Sequence, residues 1–219
     1  MKRIMVLNSK GGSGKSTIAS NLAGYYANWG MKVALADFDP QRSSLDWLRA
    51  RSQEYPRIYG ISASNDTVAI PPDIDLLVMD TPASVQKEKL EAYIHQADVI
   101  IIPVLPSPMD IRAAAKFIHE LLLVYRVSRE NTKVCVVANR VRIRTLAYRA
   151  LERFVKALKI PFVTTLRESR NYLHATESGQ CIFEIPGRRT ERDVEQWQPL
   201  IKWLHIDDSN EETETSNEN

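Results

Sequence analysis

The chain has 219 residues, 44% of them hydrophobic, which suffices for one domain of ordinary size and excludes global disorder. Its 29 Lys and Arg against 27 Asp and Glu leave a formal charge of +2, which taken whole points to no strongly charged partner. No apolar run approaches the ~20 residues of a membrane-spanning helix, no secretory signal is evident, and two cysteines make neither a disulfide framework nor a metal cluster. A soluble cytoplasmic protein is expected.

Along the chain, short continuous apolar runs alternate with helical patterns. Strands are expected at residues 3–7, 32–37, 76–80, 99–104 and 133–138, each apolar throughout, as for strands buried on both faces. Helices are expected at residues 15–29, 41–51, 85–95, 110–125, 145–158, 169–177 and 191–204. In the fourth of these, Ile111, Ala114, Ile118, Leu121 and Leu122 share one helical face. This alternation predicts an α/β fold with a mainly parallel central sheet flanked by helices on both faces. Residues 1–205 form the domain, and residues 206–219 read as a disordered acidic tail. Ligands in such folds bind beyond the carboxyl ends of the strands, so the residues just after each strand carry the chemistry.

The first strand is followed by Asn8-Ser9-Lys10-Gly11-Gly12-Ser13-Gly14-Lys15-Ser16-Thr17 and then by a helix. A phosphate-binding loop needs this strand–loop–helix context. Glycines let backbone N–H groups turn inward around phosphate oxygens, and the helix adds the positive end of its dipole. Lys15 is placed for the β- and γ-phosphates, the Ser16 hydroxyl for Mg²⁺ and Thr17 for the α-phosphate. The second strand ends in Asp37-Phe38-Asp39-Pro40-Gln41, where two carboxylates can hold Mg²⁺ through waters and orient an attacking water; the alternative is a pair of helix-capping acids. The third ends in Asp80-Thr81-Pro82-Ala83, four apolar residues and an aspartate, as in a Walker B strand. Asn139 closes the fifth run, where a turn residue is the alternative to a ligand contact.

The loop departs from the common phosphate-loop pattern: Ser9 stands where the first glycine would be, and Lys10 precedes the glycine pair. This form resembles the deviant Walker A loop of the ParA/MinD superfamily of P-loop ATPases, and the Asp37–Gln41 and Asp80 segments are similar to its other two motifs, in the same order. The resemblance covers residues 1–205. It implies ATP and Mg²⁺ as cofactors, held by Lys10, Gly11, Gly12, Ser13, Gly14, Lys15, Ser16 and Thr17. It implies a catalytic set of Lys10, Lys15 and Asp39, a metal set of Ser16, Asp37 and Asp80, and an adenine contact from Asn139. Lys10 would reach across a homodimer to the partner's nucleotide. An ATP-dependent ligase or assembly chaperone of the same superfamily is the alternative.

The charge map narrows the branch. All 29 cations and 21 of the 27 acids lie in residues 1–205, so the body carries +8 and the tail −6. Nine cations and two acids fall between Arg140 and Arg170, a surplus of +7. Such a patch suits sequence-independent phosphate contacts; a solvated basic face is the alternative. The acidic end argues against the membrane-binding helix of MinD-like proteins. The resemblance therefore runs to the short ParA type, a partner-stimulated ATPase on nucleoid DNA. There Arg144, Arg167 and Arg170 would contact DNA, and a ParB-like or McdB-like adaptor would trigger hydrolysis. Plasmid, chromosome, carboxysome and chemoreceptor cargoes all remain open. The tail is either a solubilising end or an electrostatic competitor for the basic face.

Overall fold

The structure, a computed structural model, describes residues 1–63, 69–83, 87–125, 132–158 and 160–205. The acidic tail and Lys159 of the basic patch lie outside the described residues, as do residues 85 and 86 of the third expected helix. Seven strands form one sheet: β1 Lys2–Val6, β2 Val33–Asp37, β3 Ile58–Ser62, β4 Leu76–Asp80, β5 Val99–Val104, β6 Lys133–Val141 and β7 Phe162–Arg167. Their order is β3-β2-β4-β1-β5-β6-β7, and every pairing is parallel.

The five expected strands are the five interior ones. β2, β4 and β5 are buried at every position, which is why each reads as an unbroken apolar run. The two strands that the sequence reading missed, β3 and β7, are the sheet edges. β7 alternates buried with more exposed positions, and β3 is buried only at Ile58, so neither presents a continuous run.

Among the described residues are seven α-helices, five between strands and two after β7: α1 Lys15–Asn28, α2 Ser43–Ala50, α3 Lys87–Ile94, α4 Pro108–Leu123, α5 Leu146–Ala157, α6 Asn171–Glu177 and α7 Arg188–His205. α4 starts where Ser107 accepts from the Asp110 N–H and Pro108 occupies the first turn. α5 starts where the Thr145 side chain accepts from the Tyr148 N–H. The sheet separates two cores, because alternate side chains of each strand face opposite ways. Met5 and Leu7 pack with Phe117 and Leu121 of α4 and Leu151 of α5. Ile4 and Val6 pack with Ile18 and Leu22 of α1 and with Trp197, Leu200 and Leu204 of α7. A helix layer thus covers each face, and the carboxyl ends of β1, β2 and β4 open at one edge with Val6, Asp37 and Asp80 in register.

Candidate nucleotide site and basic rim

The loop between β1 and α1 is shaped by two left-handed glycines, Gly12 at φ 74° and Gly14 at φ 93°. Other residues rarely adopt these angles. Gly14 sits at the N-cap of α1, where no side chain caps the helix and no acid lies in the first turn. The first N–H groups of α1 are therefore left for an anion. The loop is tied down from behind. Asn8 donates to the Pro103 carbonyl at 2.6 Å and accepts from the Lys10 N–H at 3.0 Å. Asn139 donates to the Ser13 carbonyl at 2.8 Å. The Lys15 ammonium donates to the Lys10 carbonyl at 3.3 Å. Burial lowers the Lys15 pKa, and Asp80 and Asp39 pull against that shift.

Across the loop lie the carboxylates. Asp80 is fully buried, and burial raises its pKa to about 6 against the hydroxyls of Ser16 and Ser44. Its Oδ2 accepts from Ser44 Oγ at 2.8 Å, while Oδ1 has no hydrogen-bond partner. Ser13 Oγ, also buried, has none either. Buried polar atoms are normally satisfied, so the free Asp80 Oδ1, beside the Ser16 hydroxyl, points to a ligand there. An oxygen-binding cation beside Ser16 and Asp80 fits that pattern.

Asp37 is otherwise engaged. Its Oδ2 accepts from the Ser44 N–H, the Leu45 N–H and the Ser44 hydroxyl, and its Oδ1 accepts from the Asp39 N–H. It thus caps α2, and the helix begins at Ser43 rather than at Gln41. Asp39 is half-buried, and its Oδ1 accepts from the Gln41 N–H. Ser44, absent from the sequence reading, is the group that joins the two motifs.

The loop, Asp39, Gln41, Asn139 and a rim of charged residues enclose one cleft of about 980 Å³. This is the size of a small-molecule or cofactor site. The rim comes from the carboxyl ends of β6 and β7. Glu168 N–H donates to the Val141 carbonyl, bringing the two ends together. Arg142 and Arg140 both pair with Glu168, whose pKa the Arg142 hydrogen bond holds below the usual range. Arg140 and Arg144 are left-handed at φ 51° and 71°.

Residues 4–182 match the family description "CobQ/CobB/MinD/ParA nucleotide binding domain". The chain belongs to that family. Among curated relatives of this ParA/MinD group, "Maintenance of carboxysome distribution protein A" of Halothiobacillus neapolitanus is 30% identical over 192 residues, covering 84% of this chain and 88% of the relative. The ParA/MinD fold recurs in a plasmid partition protein of Borrelia burgdorferi bound to AMPPNP, at TM-score 0.73 and 17% identity over 92% of this chain and 98% of that one. It recurs too in a Cyanothece McdA–ATP complex, at TM-score 0.69 and 18% identity over 91% of this chain and 96% of that one.

Against the family motifs, the described residues bring Lys15, Asp39 and Asp80 together, while Lys10 meets Lys15 only through its backbone carbonyl. Two expected contacts have other partners. Asn139 spends its amide on Ser13 and its oxygen on the Arg140 N–H. Arg167 spends its guanidinium on Asp193, with Nε at 2.5 Å and Nη2 at 3.0 Å. Asp193 is fully buried; burial works to raise its pKa, but hydrogen bonds from Arg167, Asn171 and Ser169 outweigh it and hold the pKa low. Arg167 is thus a clamp between β7 and α7. Arg144 and Arg170, with Arg149, Arg153 and Lys156 of α5, are exposed. No helix among the described residues is long and apolar enough to cross a membrane. Cys135 and Cys181 are both free and buried.

Proposed function

We propose that this chain is an ATP hydrolase of the ParA type that dimerises on ATP, binds nucleoid DNA without sequence preference and positions a protein cargo of the carboxysome kind. The observation that carries the reading is one cleft lined by the glycine loop, Lys15, Ser16 and Asp39 together with Arg140, Arg142, Arg167 and Arg170. The carboxysome-distribution relative supports the choice of cargo.

In this reading the N–H groups of Gly11 to Thr17 hold the phosphates, and Lys15 neutralises the terminal ones. Ser16 and Asp80 hold Mg²⁺, with Asp37 keeping the Asp39 segment and Ser44 in place behind them. When bound, the metal supplies positive charge to the phosphoryl oxygens. Asp39 orients the attacking water. Lys10 of each subunit reaches the other's nucleotide, adding charge as the leaving phosphates become more negative. Dimerisation brings two basic rims together, which multiplies weak DNA contacts into retention. An adaptor of the ParB-like or McdB-like kind then stimulates hydrolysis and releases the subunits.

The test is retention of the full chain on non-specific duplex DNA with ATP, with ADP and without nucleotide. Retention only with ATP, falling steeply with salt, is the expected result. Equal retention in all three states, or rapid ATP turnover without DNA or partner, overturns the reading.

A further inference from the structure

Asn139 lies at an irregularity. The register of β6 against β7 shifts between Ala138 and Val141, and Arg140 next to it has φ 51°. The side chain is 6% exposed, and both of its ends are in use. Its oxygen accepts from the Arg140 N–H at 2.9 Å, and its nitrogen donates to the Ser13 carbonyl at 2.8 Å. Contact with the loop is close. A Cβ placed on Gly14 would fall 2.1 Å from Asn139 Nδ2 and 3.4 Å from Cγ.

The consequence follows from peptide geometry. In a planar trans peptide the C=O and the following N–H point in opposite directions. Holding the Ser13 carbonyl toward Asn139 therefore aims the Gly14 N–H away from Asn139. Gly14 itself lines the nucleotide cleft. Glycine linkages at Gly12 and Gly14 have wide conformational freedom, so an external hydrogen bond is what selects one orientation. Bound to two backbone groups, the amide of Asn139 has one N–H and one lone pair of its oxygen committed to holding the loop, and a second N–H beyond them.

We propose that Asn139 is a positioning residue for the phosphate loop: it orients the Ser13–Gly14 peptide so that the Gly14 N–H faces phosphate. This rests on the reading of the cleft as an ATP site. Asn139→Asp keeps the shape and the acceptor for Arg140 but places an oxygen against the Ser13 carbonyl. Asn139→Ser removes the reach to Ser13 altogether.

Binding of ATP, GTP and inorganic tripolyphosphate to the full-length chain and both variants separates the roles, with melting temperatures of the ligand-free proteins measured alongside. The expected result is a loss of about tenfold or more for all three ligands by the same factor, with the ATP-to-GTP preference unchanged. Tripolyphosphate is the diagnostic probe, since it has no base. A changed ATP-to-GTP preference with tripolyphosphate binding intact overturns the proposal in favour of base reading. Unchanged affinity for all three overturns it as well, as does a loss fully accounted for by a lower melting temperature. Failure of the unsubstituted chain to bind ATP would overturn the functional reading instead. Should the aspartate variant not fold, the serine variant is read by the same criteria.

Discussion

The Ser44 hydroxyl lies 2.8 Å from Asp80 Oδ2, and the same oxygen lies 2.8 Å from Asp37 Oδ2. A hydroxyl has one hydrogen to donate, so the two carboxylates share one donor. Ser44→Ala removes it and leaves Asp80 with neither oxygen hydrogen-bonded to Ser44. The expected cost is about 2 kcal/mol, or about 4–8 °C in melting temperature for a chain of this size. Calorimetry of the ligand-free protein checks it, and a shift under 1 °C would remove Ser44 from the network.

The raised pKa of Asp80 sets a pH dependence. Between its ordinary value of 3.8 and about 6, the folded ligand-free protein keeps the proton that the unfolded chain has released. The folded state binds more protons across that window, so this group's contribution to stability falls as pH rises from 3.8 to 6 and stays low above it. The penalty is at most about 3 kcal/mol. Asp80→Asn abolishes the penalty while removing the metal-facing carboxylate. The variant without metal should melt higher than the unsubstituted chain at pH 7, with the gap closing near pH 4. A gap that widens on acidification would contradict the assignment.

Arg167 and Arg170 should part company. Arg167→Ala strands the buried Asp193 carboxylate with only Ser169 and Asn171 as side-chain donors, at a cost of about 3–5 kcal/mol. Arg170→Ala removes an exposed side chain and should change stability by less than about 0.5 kcal/mol. On DNA the order reverses once stability is matched by temperature: Arg170→Ala and Arg144→Ala lose ATP-dependent retention. Salt titrations of retention for each variant would show it.

A second buried pair braces α2. Arg51 and Glu184 are each 4% exposed at the side chain and form a two-point contact, with Arg51 also over the Trp47 and Tyr55 rings. Glu184 in turn accepts from Asn28 of α1 and from the Cys181 N–H. Glu184→Ala should cost about 3–5 kcal/mol by leaving Arg51 unpaired. The double change Arg51→Met with Glu184→Met should recover most of that loss. Chemical denaturation of the single and double variants measures the coupling.

The sequence was legible where one residue type answers one physical demand. Buried interior strands need unbroken apolar runs, and the phosphate loop needs glycine at φ 74° and 93°. Edge strands were hidden because half of each faces outward, as in β7, where Thr164 and Leu166 are buried and their neighbours are not. Partner choice was hidden for a different reason. Arg167 and Arg170 are the same residue type three positions apart, and only the fold puts Asp193 beside one of them. Ser44 escaped notice because its task depends on Asp37 and Asp80 being level on adjacent strands.

Ser13 and its amide partner Asn139 are separated by 126 positions in the chain. During synthesis the phosphate loop leaves the ribosome early, and the residue that holds its Ser13 carbonyl comes only within β6. A growing chain that ends before β6 lacks the fixed loop, however complete its N-terminal strands. In the proposed arrangement nucleotide stabilises chains made through Asn139 more than shorter ones, so ligand binding acts as a late seal on folding rather than an early guide.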